Sequence, residues 1–161
     1  MNAARLRDRL WLWGMKVNAL QETAEYRRLG FAPSTLTAEQ AIGRTGIANV
    51  LLAGGLPLEP ATLAAMPSAR RVIAKTSLHR VGAGGNRLAA DECAAALRQA
   101  QALAAADPRV DGFLIDDFST GSIEAGATPA ELARLQRVNA AEGPQLPLLG
   151  TVYEMSLEDE R

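Results

Sequence analysis

The amino-acid sequence predicts an α/β fold in which β-strands alternate with helices around a parallel sheet. Short apolar runs and helical segments alternate five times along the 161 residues, with no clear signal for a β-hairpin between them. Hydrophobic residues make up 48% of the chain but aromatic residues only 4%, and alanine is abundant. This composition is typical of Ala-rich helices packed on a sheet. The length is enough for one domain with a real core.

The first half of the chain contains three predicted strands. Thr37 and Gln40 fit a capping box, a hydroxyl followed three positions later by Glu or Gln, and Gly46 is a typical helix stop. Apolar runs bounded by turn residues predict the strands. In order, we expect a strand over 10–17, a helix over 19–29, a helix over 37–45, a strand over 47–53, a helix over 60–66 and a strand over 71–76.

The second half of the chain repeats the alternation of helix and strand. A long helix over 88–106 is expected to end at Asp107, because the residue before a proline is a poor helix residue. Thr128 and Glu131 form a second capping box, with Pro129 at the first helical position. The predicted elements are the helix over 88–106, a strand over 110–118, a helix over 128–141 and a strand over 146–153.

The fourth predicted strand, over 110–118, carries the main functional signal. It is apolar until Asp116 and Asp117, two adjacent carboxylates. An unpaired carboxylate in an apolar core costs several kcal/mol or shifts its pKa, so the pair is expected at the edge of the sheet. The carboxyl ends of parallel strands are where α/β folds place their active sites.

Two architectures are compatible with five βα units. An open five-stranded doubly wound sheet fits the length, whereas a (β/α)₈ TIM barrel needs eight strands and about 250 residues. Polar residues follow strands one, three, four and five, as in a barrel that builds its site from several loops. We therefore predict that residues 1–161 form one α/β domain, the N-terminal portion of a barrel, with the open sheet as the alternative.

The candidate catalytic residues are Asp116, Asp117 and Glu154. Successive strand side chains point to opposite faces, so Asp116 is the better candidate for the barrel axis, and Glu154, at the end of the next strand, could approach it. Paired carboxylates suit glycoside hydrolysis, in which one protonates the leaving oxygen and the other attacks or stabilises the anomeric carbon. The candidate substrate-binding residues at the same edge are Lys16, Asn18, Lys75, His79 and Trp13.

The fourth strand resembles a segment of a known enzyme family. Chitinase-type glycoside hydrolases carry the pattern D-G-x-D-x-D-x-E in their fourth strand, and Asp111, Gly112 and Asp116 match it. Leu114 and Phe118 stand where that pattern has Asp and Glu. A broader set, 11–14 (Trp-Leu-Trp-Gly) in strand one with 112–118 in strand four, is similar to uncharacterised bacterial glycoside-hydrolase-like TIM-barrel proteins. This similarity covers the chain as the first five strands of such a barrel. This resemblance implies a carbohydrate-related role.

Two other function classes remain open. A metal-dependent or Schiff-base lyase or isomerase would use the same acids together with His79 or Lys75, since a lysine in an apolar barrel can lose its charge and attack a carbonyl. A non-catalytic barrel fragment would serve for sugar binding or assembly. We predict no cofactor, with a divalent cation at Asp116 and Asp117 as the alternative.

The charge and the cysteine content of the chain limit the classes of binding partner and the kinds of site. A net charge of −1 without long like-charge blocks argues against nucleic acid. One cysteine excludes an internal disulfide and a Cys-rich zinc site. Apolar stretches fall short of the roughly 20 residues that span a bilayer, so we expect no membrane partner and a cytoplasmic location, with a secreted parent trimmed of its signal as the alternative. Self-association, or pairing with the missing C-terminal half-barrel, is expected.

Overall fold

The protein is an α/β structure with a five-stranded parallel sheet, in the strand order β1-β2-β3-β4-β5. The structure, a computed structural model, describes residues 6–14, 17, 35–53, 56–77, 90–116 and 129–150. The predicted helix over 19–29 lies outside these residues. The elements are, in chain order, β1 (Leu12–Gly14), α1 (Ala38–Thr45), β2 (Asn49–Leu52), α2 (Pro60–Ala64), β3 (Arg71–Ser77), α3 (Ala90–Ala106), β4 (Val110–Asp116), α4 (Pro129–Ala141) and β5 (Leu148–Gly150).

The contacts of the chain divide it into two compact units. Unit 1 is Met1–Ile73 and contains β1, α1, β2, α2 and the start of β3. Unit 2 is Ala74–Arg161 and contains the rest of β3 and the elements from α3 to β5. Each unit is described by itself.

Helix α1 has a complete set of end caps. The Thr37 hydroxyl accepts a hydrogen bond from the backbone N–H of Gln40 at 3.2 Å, and the Gln40 side chain accepts one from the N–H of Thr37 at 3.0 Å. At the other end Gly46 adopts φ +68°, and its N–H donates to the carbonyl of Ile42. A non-glycine residue is strained in this left-handed conformation. The predicted capping box and helix stop are therefore confirmed.

The core of unit 1 includes Val50 and Val72. These two residues pair across β2 and β3, and neither side chain is exposed. Leu63 and Met66 are also buried. In β1, Gly14 makes close strand packing possible, since a Cβ there would lie 2.7 Å from the Cγ1 atom of Val50. Two fully buried valines contribute about 1.5–3 kcal/mol each to folding.

A buried asparagine ties the segment before β1 to the sheet. The side-chain amide of Asn49 donates hydrogen bonds to the carbonyls of Asp8 and Leu10, at 2.9 and 3.0 Å. The carbonyl of Leu10 therefore accepts a hydrogen bond from a side chain and not from a neighbouring strand. The predicted first strand began at residue 10, whereas β1 begins at Leu12.

The core of unit 2 forms where the Ala-rich helix α3 packs on β4 and α4. Small buried side chains on α3, including Ala94 and Ala100, allow a close approach, and Leu97 lies between them in sequence. Phe113 of β4 is fully buried, and Leu135 of α4 is buried. The predicted pattern of alanine-rich helix on sheet is therefore present within this unit.

Asn139 fixes the connection from α4 to β5. Its side chain donates to the carbonyl of Leu146 at 2.7 Å and accepts from the N–H of Leu146 at 3.0 Å. The Gln101 side chain donates to the carbonyl of Asn139 at 3.2 Å, which links α3 to the same turn. Because Leu146 is paired with a side chain, β5 begins at Leu148 and not at the predicted residue 146. Among the described residues, no helix is long and apolar enough to cross a membrane.

Candidate functional site

The carboxyl end of β4 is the position at which the sequence predicts chemistry, and Asp116 is the last residue of this strand. β4 and β5 run parallel, with Ile115 opposite Gly150. The carboxyl ends of β4 and β5 therefore lie at the same edge of the sheet. The predicted partner Glu154 comes four residues after Gly150 in the sequence.

Lys75 lies in β3, the strand next to β4 in the sheet order. Its residue is half-buried, between buried Ala74 and half-buried Thr76. The part of Lys75 in binding a substrate stays a prediction.

The two tryptophans of the first strand region have different environments. Trp13 in β1 is 51% exposed and pairs with Leu51 of β2. Trp11 is half-buried, and the guanidinium group of Arg71 lies 4.9 Å from the centre of its ring, a cation–π contact. Trp13 is therefore the more exposed of the two residues, and one face of Trp11 is covered by Arg71.

The remaining predicted site residues fall outside the part of the chain that the structure describes. They are Lys16, Asn18, His79, Asp117 and Glu154. Within the described ranges, no three His, Cys, Asp or Glu side chains come together in a way that could hold a metal ion. The proximity of Asp116 to Asp117 and Glu154 therefore stays a prediction.

Two groups with shifted pKa values have structural explanations. Burial raises the pKa of the Cys93 thiol to about 11, so little thiolate forms near neutral pH, and Cys93 is a poor nucleophile. A side-chain hydrogen bond from Arg109 holds the pKa of Asp107 below its usual value. This pair, with 2.6 Å between Nη2 and Oδ2, closes the turn between α3 and β4, at the amino end of the strand.

Unit 1 contains a cavity that the sequence did not indicate. Its volume is about 500 Å³, within the range of roughly 300–1,000 Å³ that is usual for small-molecule sites. Its lining includes Thr37, whose hydroxyl already caps α1. Most of the lining is apolar and comes from separate segments, so no local motif could have predicted it: Val17, Ala38, Leu56, Ala61, Ala65 and Met66.

Comparisons with protein-family models, with curated proteins and with solved structures found no match for this chain. A fold class alone does not specify an activity, because the same α/β architectures carry many chemistries. Function is therefore argued below from the residues at the carboxyl edge of the sheet.

Proposed function

We propose that this protein is a carbohydrate-active, glycoside-hydrolase-like protein whose carboxylates Asp116, Asp117 and Glu154 act at the carboxyl ends of β4 and β5. The observation that carries the proposal is the position of Asp116, which ends a strand within a parallel sheet. In α/β folds this edge is where substrates bind and catalytic residues lie. The parallel pairing of β5 with β4 supports Glu154 as the partner acid.

We further propose that the sheet is the N-terminal portion of a (β/α)₈ barrel. The sequential order β1-β2-β3-β4-β5 supports this architecture, because a barrel adds each strand beside the previous one. A doubly wound sheet reverses its strand order at a switch point, and the observed order contains no reversal. The remaining strands would come from another segment or another copy.

The proposed chemistry divides two roles between the carboxylates. One acid protonates the glycosidic oxygen as the bond to the anomeric carbon breaks, and the other attacks that carbon or activates water. A separation of about 5–5.5 Å would give retention, and about 6.5–9.5 Å would give inversion. Trp13 is the candidate for stacking on a sugar ring. Lys16, Asn18, Lys75 and His79 would bind the sugar hydroxyls.

The first test is a panel of methylumbelliferyl glycosides assayed with the wild type, Asp116→Asn and Asp8→Asn. We expect hydrolysis of one glycoside by the wild type and a loss of about 10²–10⁴-fold in kcat/KM for Asp116→Asn, the usual contribution of acid–base catalysis. Asp8→Asn is the matched control, because Asp8 lies in unit 1 in an exposed ion pair with Arg70. Equal rates for Asp116→Asn and wild type would contradict the proposal.

Three other measurements test the two alternative functions. A lyase or isomerase that works through a Schiff base on Lys75 would be trapped by borohydride in the presence of a carbonyl substrate, and Lys75→Arg would abolish trapping. A metal-dependent enzyme would need an added divalent cation for activity. A sugar-binding module would bind an oligosaccharide in calorimetry without hydrolysing it.

A further inference from the structure

The amino-terminal edge of the sheet in unit 1 carries a cluster of exposed arginines. They come from three parts of the chain: the segment before β1, the end of α1 and the start of β3. All five arginines are exposed. We call this cluster the arginine edge, and it consists of Arg7, Arg9, Arg44, Arg70 and Arg71.

Hydrogen bonds hold the segment before β1 across the starts of the next two strands. The Asn49 side chain binds the carbonyls of Asp8 and Leu10. The N–H of Arg70 donates to the carbonyl of Ala48 at 2.8 Å, and its guanidinium lies 3.4 Å from the Asp8 carboxylate. Residues that are about 60 positions apart in sequence therefore lie next to each other.

Packing contacts bring the other arginines to the same place. The Arg7 side chain lies against Gly46, where a Cβ atom would be 3.3 Å from the Arg7 Nη1 atom. Arg44 is in the last turn of α1, two residues before Gly46. Arg71 stacks on Trp11. The arginine edge is thus a property of the folded unit.

The charge of the chain is divided unevenly between its two units. Residues 1–73 include nine Lys or Arg and five Asp or Glu, whereas residues 74–161 include eight and thirteen. The formal charges are therefore +4 for unit 1 and −5 for unit 2. The net charge of −1 conceals this division. The positive formal charge of unit 1 attracts an anionic partner, whereas the negative charge of unit 2 does not.

Two exposed leucines flank the stretch Arg7-Asp8-Arg9 of the first segment. Leu6 is 44% exposed and Leu10 is 41% exposed, and Arg7 and Arg9 lie between them in sequence. Arginines with exposed apolar side chains among them match the surface of an anionic bilayer, where guanidinium groups meet phosphates and leucines enter the acyl boundary. A nucleic acid would use the arginines and leave the leucines in water.

We propose that the arginine edge, with Leu6 and Leu10, binds the surface of an anionic lipid bilayer. The binding is peripheral and needs no spanning helix, so it departs from the expectation of no membrane partner, which concerned spanning segments only. It is independent of the proposed activity, whose carboxylates belong to unit 2. The acidic unit 2 is repelled by the same surface.

The test is co-flotation of the 161-residue chain with vesicles of phosphatidylcholine alone or with 30% phosphatidylserine. We expect binding to the anionic vesicles only, weakened by salt because exposed charges are screened. Arg9→Gln is expected to weaken it about fivefold, the value of one basic residue near an anionic surface. Arg137→Gln, an exposed arginine of α4 in unit 2, is the matched control and is expected to change nothing.

Two further variants test the folded edge and the leucines. Arg44→Gln is expected to weaken vesicle binding about as much as Arg9→Gln. Because Arg44 lies in α1, this result would show that the folded edge binds the vesicle, and not the N-terminal segment by itself. The double variant Leu6→Ser with Leu10→Ser is expected to lose about tenfold in vesicle affinity, since these apolar groups would enter the bilayer. Circular dichroism of each variant checks that it is folded.

Three outcomes would overturn the proposal. The first is no binding of the folded wild type to anionic vesicles. The second is unchanged vesicle binding by the leucine variant, which would reduce the interaction to unspecific charge attraction. The third is binding of a 20-nucleotide RNA at concentrations where vesicles are not bound, which would assign the arginine edge to nucleic acid.

Discussion

Cys93 illustrates how one residue can respond to the folded environment. It is 1% exposed in α3, and burial raises the pKa of its thiol from 9.0 to about 11. A free cysteine packs as a small apolar side chain. The raised pKa means that folding opposes loss of the thiol proton.

We predict that Cys93 lowers the stability of the protein at alkaline pH. Below pH 9 the thiol is protonated in both states, and its contribution is fully present. Between pH 9 and about 11 the unfolded chain loses the proton while the folded chain keeps it, so the free energy of unfolding falls by at most about 1.4 kcal/mol per pH unit. Urea unfolding at pH 8, 9 and 10 measures this.

The control for this prediction is Cys93→Ala, which keeps a small apolar side chain but cannot titrate. The difference in unfolding free energy between wild type and Cys93→Ala is expected to shrink as the pH rises from 9. Parallel pH profiles for the two proteins would show that the thiol does not contribute. Comparing the two proteins removes the effect of lysines and tyrosines that titrate in the same range.

Two buried asparagines show what single residues do to the ends of strands. Asn49 binds the carbonyl of Leu10, and Asn139 binds both backbone groups of Leu146. A side-chain amide carries the same donor and acceptor as a peptide group, so it can replace a neighbouring strand. The apolar pattern alone could not distinguish Leu10 and Leu146 from strand residues. The first and the fifth predicted strands therefore began two residues too early.

At the scale of elements, α1 is the clearest case of a local signal that determines a helix. The Thr37 hydroxyl and the Gln40 side chain satisfy two N–H groups at the helix start. Each group would otherwise lack an intrahelical partner. The last turn is closed by Gly46. None of these interactions needs a distant part of the chain.

We predict that Thr37→Ala lowers the free energy of unfolding by about 1 kcal/mol, the usual value of an N-cap hydroxyl. Thr37→Ser keeps a hydroxyl at the same position and is expected to stay within about 0.5 kcal/mol of the wild type. Urea unfolding followed by circular dichroism measures both variants. If the alanine and serine variants unfold at the same urea concentration, the capping hydrogen bonds add nothing to stability.

At the scale of the whole molecule, the strand order leaves β1 and β5 at the two ends of the sheet. Each of these strands has an exposed large apolar residue, Trp13 at 51% and Leu149 at 40%. Edge strands with exposed apolar side chains favour pairing with other chains. A closed barrel would cover them, as would a second copy.

We predict that the 161-residue chain self-associates in solution. Light scattering is expected to give a mass above that of a monomer, and the double variant Trp13→Lys with Leu149→Lys is expected to lower it, since charges on edge strands oppose pairing. Ala140→Lys, at an exposed position of α4, is the control. A compact wild-type monomer with a sharp thermal transition would contradict the prediction and favour the open sheet.

The sequence by itself determined the α/β class, the alternation of strands and helices, and the ends of α1, because these features depend on periodicity, caps and turn residues within a few positions. It also identified Asp116 as the end of an apolar strand. Local patterns of this kind do not depend on which strand lies beside which.

Only the tertiary structure decided which distant residues are neighbours. It brought Arg7, Arg44 and Arg70 to one edge of unit 1, formed an open apolar pocket from separate segments, and paired Asn49 and Asn139 with backbone groups of the chain. The net charge, a sum over the chain, concealed the division into a basic and an acidic unit. Charge patches and cavities arise from positions in space, and these depend on long-range packing that no short stretch of sequence encodes.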